Sequence, residues 1–246
     1  MAQGKFWKGA RVVTAEMVGT MAIFTGVVAG IVLLLRPRMR RHKQTDLAFF
    51  DWVKQHTNDR NTIIMQRITK LADHRFLVPA NLALIAWFLF FRKRSWFSIR
   101  VATVALSSLL LMFAFKKIFR RKRPLDPLLH PARGLSFPSG HALMSATFYG
   151  LLIYISWHTI HNRPIKALVI LSLAALMNGI GFSRVYLRVH YASDVAVGLT
   201  LGLCWLIISL DLLKRIEAIN KAQGLLPAEP VFAPGDTTIP LITQKA

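Results

Sequence analysis

Cysteine is almost missing from this chain: one residue, Cys204, in 246. A single thiol makes no intrachain disulfide and says nothing about redox compartment. Lying inside an apolar run, it reads as a small packing residue. Acidic residues are scarce too, 11 Asp+Glu against 32 Lys+Arg. They are scattered, so the sequence holds no convincing metal cage, and no cofactor is expected. Charged residues of both signs make up only 17% of the chain, while 54% is hydrophobic. Ordinary soluble domains carry about 25% and 45–50%. No internal repeat is visible.

In place of charge there are long apolar runs, and the mean hydropathy is +0.42. The hydrocarbon core of a bilayer is roughly 30 Å thick and asks for about 20 helical residues. Six runs approach that length, at residues 17–35, 76–91, 98–115, 141–159, 164–182 and 192–213. The first is followed by RPRMRRHK rather than a small-residue cleavage site, so it reads as a retained anchor and not a signal peptide. The linkers are too short to separate domains. The expected fold class is therefore all-α: a six-transmembrane-helix bundle, residues 17–213, with short interfacial helices in the first loop. A basic lead, 1–16, precedes it and a flexible tail, 214–246, follows it. The interfacial helices are read from LAFFDWVKQ and IIMQRITKLADH, where apolar residues recur at steps of three and four.

The formal net charge of +21 would point to nucleic acid in a soluble protein. Here the cations cluster at the ends of apolar runs, as in Arg92-Lys93-Arg94, Lys116-Lys117 and Lys214-Arg215. That placement suits lipid phosphates, each basic residue near an anionic surface contributing about 1 kcal/mol. Membrane lipids are the expected partners and nucleic acid is not. The oligomeric state is open.

With six spans, the loops 36–75, 116–140 and 183–191 share one face of the membrane. Three polar clusters fall there: KKIFRRKRP at 116–124, PSGH at 138–141 and SRVYLRVHYASD at 183–194. Ser139 and Gly140 stand where a helix begins, and its unpaired N–H groups and positive dipole end suit an anion, most naturally phosphate. SGH alone reads as a plain serine N-cap with a loop histidine. His190 and Asp194 are four apart, so a carboxylate could fix one imidazole nitrogen and leave the other as nucleophile or base. Taken alone, that pair also fits a solvated helix face. An ionisable residue at the entrance of an apolar span is nevertheless a functional candidate by default. Arg184 offers a forked donor for phosphate oxygens. Lys116 and Arg123, seven apart, are expected on one face of a helix end. Lys117, Arg120, Arg121 and Lys122 read as a stop-transfer cluster. His42, His56, His74, His158 and His161 read as bland; His130, Asp126 and Arg188 are possible secondary contacts.

In order, K-x6-RP, PSGH and SR-x5-H-x3-D resemble the three-part signature of the type 2 phosphatidic acid phosphatase superfamily, over roughly residues 76–213. The resemblance implies roles position by position. His190 would attack phosphorus and form a phosphohistidine, Asp194 would orient it, and His141 would protonate the leaving oxygen. Lys116, Arg123, Ser139, Gly140 and Arg184 would bind the phosphoryl oxygens. It implies a metal-independent membrane phosphatase acting on a lipid phosphate or diphosphate: phosphatidic acid, phosphatidylglycerol phosphate, undecaprenyl diphosphate or a lipid A phosphate. A lipid phosphotransferase of the same superfamily and a non-catalytic membrane scaffold are the alternatives. Family topology implies a bacterial inner-membrane protein with its site on the non-cytoplasmic face. The Lys and Arg excess lies on that same face, against the positive-inside rule; the family topology is followed.

Overall fold

The computed structural model describes residues 43–92, 95–124, 127–129 and 134–222, together with Gly30 and Leu34. The basic lead, the run 17–35 apart from those two residues, His42, Asp126, His130 and the tail beyond 222 lie outside the described residues. The described chain is helical and contains no strand. Its helices are α1 Lys43–Gln55, α2 Asp59–Lys70, α3 His74–Ala86, α4 Ser95–Phe119, α5 Gly140–Thr159, α6 Arg163–Tyr186 and α7 Ala192–Ala222; a π-helical turn, Trp87–Phe91, continues α3.

Local chemistry sets the starts of these helices. Asn58 Oδ1 accepts from Asn61 N–H at 2.8 Å, Asp73 Oδ1 from Arg75 N–H at 2.9 Å, and Asn162 Oδ1 from Ile165 N–H at 3.1 Å. Each takes up a donor that the first helical turn leaves unpaired. Pro164 sits in the first turn of α6, where a missing N–H costs nothing.

Among the described residues, four stretches are long and apolar enough to cross a membrane by length and composition: Asp59–Phe91, Trp96–Phe119, Arg163–Tyr186 and Ala192–Lys221. The turn at residues 71–73 divides the first of them into α2 and α3. The expected run 141–159 is present as α5 but falls outside the four. It carries Ser145, Thr147 and Tyr149, all buried. α5 is the centre of the bundle, packed mainly on α6 and α7 and flanked by α4. A helix surrounded by other helices meets little lipid, so it tolerates hydroxyls that an outer helix would not. Lipid-type surface lies instead on the outside, at Leu110, Leu168, Leu171 and Ile207, all exposed.

The close approach of α7 to α5 depends on two glycines. A Cβ on Gly198 would lie 2.8 Å from Ser139 O, and one on Gly202 would lie 2.6 Å from Leu143 O. Both obstacles are backbone and cannot rotate away. Gly198→Val is therefore expected to lower stability by about 1–3 kcal/mol and to push Ser139 away from α7. A thermal melt in detergent, paired with an activity assay, checks this.

Two expectations need correction. The last helix does not stop at 213: Leu213 and Ile216 are still buried, and Glu217 holds Arg100 of α4 and, at 2.8 Å, Lys221. Lys116 and Arg123 do not share a helix face either. α4 ends at Phe119, Arg120 takes a left-handed φ of 47°, and Arg123 follows outside any helix.

Candidate active site

The ends of four helices meet at one end of the bundle. Lys116 lies in the last turn of α4, His141 in the first turn of α5, Arg184 in the last turn of α6 and Asp194 in the first turn of α7. His190 occupies the short link between α6 and α7. That link is pulled inward by Leu187 and Val189, which are buried with Val53, Val185 and Val195 in one apolar cluster. Between them Arg188 adopts a left-handed φ of 55°. The N–H groups of Val189 and His190 both donate to Arg184 O at 3.2 Å. A buried polar side chain needs partners, and His190, 1% exposed, has them on both ring nitrogens.

Those partners fix its tautomer. Arg123 Nη1 lies 3.3 Å from His190 Nε2. A guanidinium only donates, so Nε2 presents a lone pair and the proton sits on Nδ1. Nδ1 faces Asp194 Oδ2 at 3.6 Å and Ser136 Oγ at 3.4 Å. Burial pushes the His190 imidazole down to about 4; Asp194 opposes that shift, and the Arg123 and Arg184 cations add to it. The ring is neutral at pH 7.

Asp194 is fully buried and held from several directions. Its Oδ2 accepts from Ser136 Oγ and, at 3.0 Å, from Tyr191 N–H. Its Oδ1 accepts from Arg121 Nη1 at 2.6 Å. Its backbone carbonyl accepts from Ser139 N–H at 3.0 Å, tying the second motif to the third. Ser139 Oγ faces Ala142 N–H at 3.5 Å as the N-cap of α5. Ser139 thus spends its amide and its hydroxyl inside the protein and does not line the cavity in front of His190.

That cavity has a volume of about 520 Å³ and runs between α3 and α4. Lys116, Arg123, Gly140, His141, Arg184 and His190 form its polar end; Leu82, Ala102, Ala105, Leu106 and Leu109 are among the residues of its apolar length. Lys116 Nζ donates to Leu135 O at 2.7 Å, and Arg184 Nη1 donates to Thr69 Oγ1 at 2.6 Å. Arg184 Nε is buried without a hydrogen-bond partner. Among the described residues no group of three or more His, Cys, Asp or Glu is placed to hold a metal ion.

Some participants were not legible in the sequence. Arg121, read as part of a stop-transfer cluster, bridges Asp194 and Asp46, and its Nη2 lies 2.6 Å from Asp46 Oδ2. Ser136 and Thr69 carried no motif. His74, read as bland, lines the cavity. His56 keeps the bland reading: its Nδ1 meets Trp52 O at 2.8 Å.

The PAP2 superfamily model matches residues 96–217. Phosphatidylglycerophosphatase B of Bacillus subtilis is 33% identical over 142 residues, covering 57% of this chain and 69% of that protein. The crystal structure of the transmembrane PAP2-type phosphatidylglycerolphosphate phosphatase from Bacillus subtilis superposes with a TM-score of 0.67 at 27% identity, covering 81% of this chain and 96% of the other. Aquifex aeolicus LpxE shares the fold, with a TM-score of 0.53 at 22% identity over 67% of this chain and 94% of that one. With apolar helices of membrane-crossing length and three motifs converging on one cavity, this integral membrane protein belongs to the PAP2 superfamily.

Proposed function

We propose that the chain is a lipid phosphatase that hydrolyses a phosphate ester at a membrane surface through a phosphohistidine. One observation carries the reading: a histidine held neutral stands with His141 and three cations at the polar end of a long apolar cavity. An acyl or prenyl chain fits the apolar length while its phosphate reaches Lys116, Arg123 and Arg184. The two Bacillus subtilis matches are named for phosphatidylglycerol phosphate, which makes that lipid the first candidate. Phosphatidic acid and undecaprenyl diphosphate are the next.

The reaction follows from the roles available. The Nε2 lone pair of His190 attacks phosphorus as the bond to the leaving oxygen breaks, and His141, entering the step as the imidazolium paired with the phosphate anion, gives that oxygen a proton. The Nδ1–H faces Asp194, whose carboxylate stabilises the imidazolium that forms. A water then attacks the phosphohistidine, giving a proton to His141; the N–P bond breaks, phosphate leaves and Nε2 regains its lone pair. Arg123 and Arg184, with Lys116, hold the charge on the phosphoryl oxygens, and phosphoryl transfer asks mainly for such positioning and charge stabilisation. Gly140 lets the start of α5 come close to the phosphate. Ser139 acts by capping that helix rather than by touching substrate. The site is assigned to the non-cytoplasmic face of a bacterial inner membrane, following family topology.

The protein in detergent, with EDTA throughout, is expected to release phosphate from phosphatidylglycerol phosphate. Loss of turnover with EDTA, and its return with magnesium, would overturn the metal-free mechanism. Ala105→Trp should fill the apolar length of the cavity. Lipid turnover is then expected to fall by about tenfold or more, with p-nitrophenyl phosphate hydrolysis preserved. An equal loss on both would remove the cavity from the argument.

A further inference from the structure

Asp46 lies on α1, far from the three motifs in sequence, yet it is 5% exposed and bonded to the start of α7. Its Oδ1 accepts from Ser193 N–H at 3.0 Å, and its Oδ2 accepts from Ser193 Oγ and Arg121 Nη2, each at 2.6 Å. Arg121 reaches from there to Asp194 Oδ1 at 2.6 Å and lies 4.1 Å above the Tyr191 ring. One cation thus stands between two buried carboxylates.

The charges matter more than the docking. Asp194 must stay negative to stabilise the cationic ring of a phosphohistidine. An arginine bonded to it offsets that charge in a site where little water screens it. A second carboxylate on the other side of Arg121 restores a net charge of about −1 to the trio. Docking alone does not need this arrangement. Val53, fully buried against Leu187 and Val189, already holds α1 in place, and Ser136 and Tyr191 N–H already orient Asp194 from its other oxygen.

We propose that Asp46 is a positioning residue of the phosphoryl-transfer site, acting through Arg121 to keep the Asp194–His190 pair anionic enough to carry a phosphohistidine. This rests on the phosphatase reading above. The effect belongs to the chemical step, so it should appear in kcat and not in KM.

The test compares four variants with wild type in detergent, assayed on p-nitrophenyl phosphate and on dioleoyl phosphatidic acid, with thermal melts alongside. Asp46→Asn is expected to lower kcat by about ten- to a hundredfold, with KM within about twofold. Asp46→Asn/Arg121→Gln removes one negative and one positive charge together, and should recover part of the kcat lost in the single variant. Val53→Ala loosens α1 without touching a charge; it should lower the melting temperature and leave kcat within about threefold of wild type. An Asp46→Asn enzyme with wild-type kcat would overturn the proposal. So would a double variant no faster than Asp46→Asn, or a Val53→Ala enzyme as slow as Asp46→Asn. His190→Ala separates the two levels of the argument. If it turns over like wild type, the phosphohistidine reading fails; if it is dead while Asp46→Asn is unimpaired, only the role of Asp46 fails.

Discussion

Replacing His190 with alanine is expected to reduce phosphate release by about 10⁴-fold or more, with the protein still folded, since the loss removes the nucleophile and not an aid to it. The expected intermediate, a phosphohistidine trapped by rapid acid-free quenching, should vanish with it. Wild-type enzyme should show an acid limb in kcat/KM near 4, not near the ordinary histidine value, once the substrate's own ionisation is allowed for, because burial and the Arg123 and Arg184 cations hold the ring neutral that far down. The sign for stability is the same. The unfolded chain takes up a proton on His190 near 6.5, while the folded chain resists until about 4. Stability from keeping this ring neutral is full above 6.5 and is lost as pH falls between those values. A pH series of melts on wild type and His190→Gln, which cannot titrate, would isolate that share. Equal acid sensitivity in the two would remove it.

His141→Ala is expected to cost about 10²–10⁴-fold on a lipid phosphate, the usual range for a positioned general acid. The size of the loss should depend on the leaving group. A glycerol or glyceride oxygen leaves poorly without a proton, whereas a nitrophenolate leaves readily as the anion. The first step on p-nitrophenyl phosphate should therefore be nearly intact in His141→Ala, and a burst of nitrophenolate should precede a slow steady state limited by the water step. The same large loss on both substrates, with no burst, would assign His141 to binding. Its place supports the acid role: it lines the cavity beside His190 while its helix is held by the Ser139 cap and by the bond from Ser139 N–H to Asp194 O.

Phosphate chemistry and helical class were legible because each rests on local pattern. Apolar runs give helices of membrane length wherever they occur, and α4, α6 and α7 extend the runs that composition marked. His190 and Asp194 meet because the link ahead of α7 is short enough to set the ring beside the first turn of that helix, and Ser139 caps because serine at a helix start accepts an amide proton. What the tertiary structure decided is what these residues turn against. Lys116 and Arg123 reach one cavity through a left-handed Arg120, not through helix register. Arg121 and Lys122 are neighbours in one basic string, yet only the first is drawn onto Asp194 and Asp46. Asp46, Thr69 and Ser136 carry no motif; each becomes part of the site through a contact from 58 to 147 residues away along the chain. A sequence pattern records periodicity and local hydrogen bonding. Which buried charge finds which partner is set by how the helix ends converge, and that is a property of the packed bundle.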